Sequence, residues 1–120
     1  MGKAKSAIES QREMLFRAMK FVEKVKKKLK IEEVYVVGSR ARGDFTDESD
    51  IDLVIISEDV KGIPYLRRVD MLSEFLEPKV EFFIYTREEW ENPSSLYIKE
   101  MRRESKRFMD LLKEYKVYVE

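Results

Sequence analysis

Apolar residues near the start of the chain recur at three- and four-residue steps: Ile8, Leu15, Met19, Val22, Val25 and Leu29 fall on one stripe of a helical wheel. That spacing, opened by the capping-box form Ser6-Ala7-Ile8-Glu9, predicts one amphipathic helix over roughly 6–30. Its last turns carry Lys24, Lys26, Lys27, Lys28 and Lys30, cations that suit the negative end of a helix dipole. The period then shortens. Val34 to Val37 and Ile51 to Ile56 are short β-branched runs that read as strands, joined by a tight turn. Gly62 and Pro64 precede a second helical stripe, Leu66, Val69, Leu72, Phe75 and Leu76, which Pro78 stops. Val80 to Tyr85 reads as a third strand, and Thr86-Arg87-Glu88-Glu89 as a further capping box before Asn92-Pro93. From about Ser94 to Tyr115, Ile98, Met101, Phe108 and Leu112 predict one closing helix, and Val117 to Val119 a marginal edge strand. Strands interleaved with helices give an α/β class with a small mixed sheet flanked by helices, in a single domain over 1–120.

Composition narrows the chemistry. There is no Cys and no His, which excludes disulfides, thiol nucleophiles, imidazole bases and the usual zinc sites. Catalysis by this chain has to run on carboxylates, hydroxyls, Lys, Arg and a metal ion. Lys plus Arg equals Asp plus Glu at 24 each, so no basic field advertises a nucleic-acid partner. No apolar run approaches the roughly 18 residues of a membrane span, and the first residues lack a signal-peptide core, which predicts a cytoplasmic protein. The 40% charged content, rich in Lys and Glu, matches the composition of heat-adapted proteins.

The segment between the first two strands carries the strongest signal. Gly38 permits close backbone approach to an anion, and Ser39 adds a hydroxyl donor; a helical turn from Ser39 to Arg42 would place Arg40 and Arg42 beside the same phosphate. Asp50 and Asp52 are separated by one strand step, so they share a face while Ile51 and Leu53 point to the core. Two such carboxylates with phosphate oxygens are the usual ligands of magnesium, which seldom sits in an all-protein cage. A second ion would call for a third acid. Glu81, alone among the apolar residues of the third strand, is the candidate, ahead of Glu77, which lies in a loop before Pro78. Asp44, Asp47 and Glu48 suggest a calcium loop but lack its Gly and Glu at the sixth and twelfth positions, and read as solvated turn residues.

Gly38-Ser39, ten residues, then Asp50-Ile51-Asp52 resembles the signature of the DNA polymerase β-like nucleotidyltransferase superfamily, and the short chain resembles its minimal nucleotidyltransferase branch. The resemblance implies a polymerase β-like fold, with Gly38 and Ser39 on the triphosphate, Asp50 and Asp52 on Mg2+, and Glu81 as third carboxylate where the family more often has Asp. It further implies transfer of AMP from ATP to a tyrosine hydroxyl of a partner HEPN-domain toxin, for which such proteins act as antitoxin.

Two other readings stand beside that one. The first is a non-catalytic nucleotide-binding antitoxin that works by occlusion. The second is nucleotidyl transfer to a small molecule, which a pocket at a homodimer interface would allow. The sequence leaves the base of the NTP and the oligomeric state open. Lys99, Arg102, Arg103, Lys106 and Arg107 form either a docking surface or, with Glu100 and Glu104, an ion-paired helix face.

Overall fold

A four-stranded mixed sheet in the order β3-β2-β1-β4 organises the chain; the computed structural model describes residues 5–118. β1 (Glu33–Val37) runs antiparallel to β2 (Ile51–Ile56), and β2 runs parallel to β3 (Val80–Tyr85). α1 (Lys5–Lys26) precedes the sheet, a single helical turn α2 (Ser39–Arg42) follows β1, and α3 (Tyr65–Leu72) forms the crossover from β2 to β3. α4 (Arg87–Glu91), α5 (Leu96–Glu104), a two-residue β4 (Lys106–Arg107) and α6 (Phe108–Glu114) complete the order.

Strand alternation divides the side chains between two layers. Val34, Val36, Ile51, Leu53, Ile55, Val80 and Ile84 pack with α1 and α6 in the larger core, around Leu15, Phe21, Val25 and Leu111. Val37, Val54, Ile56 and Tyr85 face the other way, against Trp90 of α4 and Met101 of α5. That second layer is small and covers only part of its face. Asp52 and Glu81 have the same strand parity as Val54 and Phe83, and they fall where the cover ends.

Local chemistry explains α4. The Thr86 hydroxyl accepts from Glu89 N at 3.2 Å and Glu89 Oε1 accepts from Thr86 N at 2.8 Å, the reciprocal pair of a capping box. Glu89 also takes a bidentate bond from buried Arg68 at 2.7 and 3.1 Å, tying α3 to α4 and holding the Glu89 carboxyl below its usual range.

Several sequence expectations are corrected. α1 ends at Lys26 rather than near 30, and Ser6 lies inside the helix instead of capping it. The predicted stripe is buried only in part: Leu72 is in the core and Phe75 packs against it, whereas Leu66 is 79% exposed and Leu76, past the end of α3, is 50% exposed, and Arg68 completes the buried face of the helix. The single closing helix over 94–115 is broken. Ser105 turns extended after α5, its hydroxyl donates to Arg102 O at 2.8 Å, and β4 pairs with Tyr35 and Val36 of β1 before α6 begins. The edge strand is therefore Lys106–Arg107; Val117 is buried and non-strand, Tyr118 is also outside any strand, and Val119 lies outside the described residues.

Candidate active site

Gly38 packs its bare Cα against the carboxylate of Asp52. It has φ +74°, and a Cβ added there would sit 2.7 Å from Asp52 Oδ2. A side chain there would displace the Asp52 carboxylate, and the backbone angle favours glycine independently. The chain turns at Gly38 out of β1 into α2, whose turn closes through Arg42 N to Gly38 O at 3.0 Å and Gly43 N to Ser39 O at 2.9 Å. Ser39, half-buried, and Arg42 line the same cleft as Asp52 and Glu81, whose volume is about 500 Å³.

Asp52 stands opposite Glu81 in the parallel register of β2 and β3. Partial burial and the nearby carboxylates of Glu81, Asp50 and Glu104 push its pKa up to about 6, with Arg42 opposing. Asp50 precedes β2 and is exposed; it does not line the cleft, but its charge reaches Asp52. The structure thus gathers Gly38, Ser39, Arg42, Asp52 and Glu81 around one cleft, with Asp50 beside it. Among the described residues, no group of three or more His, Cys, Asp or Glu side chains is placed to hold a metal ion. The donor set, all carboxylate oxygen beside a glycine-opened approach, fits a hard cation that completes its shell with phosphate and water. Among the described residues, no helix is long and apolar enough to cross a membrane.

Arg40 is not at this site, contrary to expectation. It is 1% exposed and directed into the fold, where it donates to Ser49 O at 2.8 and 3.3 Å, to Ser10 Oγ at 3.1 Å and to Gln11 Oε1 at 3.4 Å. Its guanidinium also lies 4.4 Å from the Phe45 ring centroid. Each residue of a helical turn is rotated about 100° from the last, so Arg40 and Arg42, two residues apart, point to nearly opposite sides and cannot both flank one ligand as drawn from the sequence. Arg40 instead ties α1 to the turn that delivers Asp50. Glu77 is likewise elsewhere: it pairs with Lys24 and, at 3.5 Å, with Lys20 of α1.

Glu104 is the site residue that sequence reasoning missed. Its Oε1 accepts from Gly38 N at 2.9 Å, and its Oε2 accepts from Arg42 Nη1 at 2.7 Å. Arg42 also meets Asp44 at 3.2 Å. The 66-residue separation from Gly38 left no local signal for it. Of the basic residues near the end of the chain, Arg103 pairs with Glu100 at 3.2 Å and Arg107 with Glu33 at 3.0 Å, while Lys99, Arg102 and Arg103 line a separate groove over Tyr35 and Trp90.

A mixed sheet that presents a glycine-serine turn beside carboxylates on adjacent strands is the arrangement of a nucleotidyl-transfer domain. The nucleotidyltransferase domain model matches residues 18–109, and the chain belongs to that family, as a minimal member of the DNA polymerase β-like superfamily. A crystal structure from Sulfolobus solfataricus, of a protein assigned as a nucleotidyltransferase, is similar at 42% identity and TM-score 0.71, over 77% of this chain and 84% of that one. No curated protein matches the chain.

Proposed function

We propose that this chain transfers AMP from ATP to a tyrosine hydroxyl of a HEPN-domain toxin, with magnesium held by Asp50, Asp52 and Glu81. The observation that carries the transfer chemistry is the packing of Gly38 on Asp52, with Asp52 registered against Glu81. The choice of ATP and of a HEPN partner rests on the resemblance to the minimal branch of the superfamily.

In this reading Gly38 lets the triphosphate approach the backbone, Ser39 donates its hydroxyl, and Arg42 neutralises charge on the departing phosphates. With its pKa near 6, Asp52 is mostly ionised at neutral pH and ready to accept a cation. Bound magnesium would lower the pKa of the attacking hydroxyl and offset the triphosphate charge. The tyrosine oxygen forms a bond to the α-phosphorus as the bond from that phosphorus to the β-phosphate bridging oxygen breaks, and pyrophosphate leaves. Glu81, exposed at the rim of the cleft, takes the phenolic proton and passes it to water.

The test is neutralisation of the toxin by the Asp50→Ala, Asp52→Ala double variant. Loss of neutralisation with partner binding retained supports transfer. Full neutralisation by the double variant refutes it and leaves occlusion.

A further inference from the structure

We propose that Phe83 and Tyr97 form the platform on which the base of the bound nucleotide stacks. The inference rests on the nucleotide-transfer reading of the same cleft and assigns its other end. The cleft has two chemical halves. Gly38, Ser39, Arg42, Asp52 and Glu81 make one, and Phe83, Tyr97 and Met101 the other. A nucleoside triphosphate has the same division, a polyanion joined through a ribose to a flat aromatic base.

The spacing agrees. Phe83 follows Glu81 by two residues on β3, so it shares the face of Glu81 and lies about 7 Å further along the strand, a separation that a ribose spans. Tyr97, near the start of α5, meets Phe83 edge to face, with ring centroids 5.9 Å apart and planes at 64°. Tyr97, Glu100, Met101 and Glu104 recur at helical spacing, so one stripe of α5 lines the cleft from its aromatic end to Gly38.

Exposure supports a ligand role over a packing role. Tyr97 is 61% exposed and the Phe83 ring only partly covered, whereas Trp90 and Met101 of the same layer are buried. Every base has a π-face, so such a platform accepts all four bases and favours purines, which offer more stacking area.

Binding separates this inference from the reading beneath it. The affinities of ATP and of inorganic tripolyphosphate are measured by calorimetry with magnesium for the wild type, Tyr97→Ala and Tyr97→Phe. The expected result is an ATP affinity about tenfold weaker in Tyr97→Ala, near wild type in Tyr97→Phe, with tripolyphosphate unchanged in all three. ATP binding that is insensitive to Tyr97→Ala, or an equal loss for both ligands, overturns the platform and leaves the transfer site standing. Failure of the wild type to bind either ligand overturns both.

Discussion

Asp52 and Glu81 are register partners across the parallel β2–β3 pair, two acids side by side on one face of the sheet at the edge of its apolar cover. Partial burial of Asp52 disfavours its charged form, and repulsion from Glu81 adds to the cost, so its carboxyl holds its proton up to about pH 6. Carboxylates perturbed in this way cluster at functional sites.

Asp52 therefore weakens the fold at neutral pH. Its pKa is raised from 3.8 to about 6 on folding, so its stabilising contribution is complete below pH 3.8 and is lost as pH rises through 6. Asp52→Asn is expected to be more stable than wild type by about 1 kcal/mol at pH 7, after allowance for solvent screening, with the gap closing below about pH 4. Urea unfolding midpoints at pH 4 and pH 7 check this. A variant less stable at pH 7 would contradict it.

Gly38 and Gly43 separate backbone strain from collision. Both have positive φ, but a Cβ at Gly38 would meet Asp52 Oδ2 at 2.7 Å, and one at Gly43 meets nothing within 4 Å. Gly43→Ala should cost about 1 kcal/mol and keep ATP binding, whereas Gly38→Ala should cost about 2–3 kcal/mol and lose it. Thermal unfolding with ATP titration reads both.

The two arginines of α2 have opposite duties. Removing buried Arg40 leaves Ser49 O and Gln11 Oε1 without their donor, so Arg40→Met should destabilise by about 2–4 kcal/mol. Arg42→Ala, on an exposed ion pair with Asp44 and Glu104, should leave the unfolding midpoint near that of the wild type while weakening ATP binding. Paired denaturation and binding curves distinguish the two patterns.

These arginines also mark where the sequence stops being legible. The glycine-serine turn, Asp52 and Glu81 were readable because strand alternation and a fixed short loop set their geometry locally. Arg40 and Arg42 look equivalent on paper, since the orientation of a one-turn helix is decided by what Gln11 and Ser49 offer it. Thr86 through Glu89 was read correctly because a capping box is local too. The break at Ser105 was missed because the apolar period persists across it from Met101 to Phe108, while the backbone is drawn away by β1. Glu104 and Tyr97 reach the cleft only through that tertiary placement of α5.

Glu104 occupies donors that a phosphate oxygen would otherwise use, the Gly38 N–H and Arg42. Neutralising it should ease entry of the triphosphate, so Glu104→Gln is expected to bind ATP several-fold more tightly, each charge-assisted bond being worth about 1.5–3 kcal/mol before competition. Calorimetry decides, and weaker binding would instead make Glu104 a brace for the turn.

Transfer of label from ATP carrying it on the α-phosphate to the HEPN-domain toxin, in magnesium, compares wild type with Asp52→Asn most directly. Labelled toxin with the wild type and none with Asp52→Asn, although that variant unfolds at higher urea, is the predicted result, because loss of activity with gain of stability marks a residue of the chemistry. Undiminished labelling by Asp52→Asn would contradict a metal-carboxylate transfer site at Asp52.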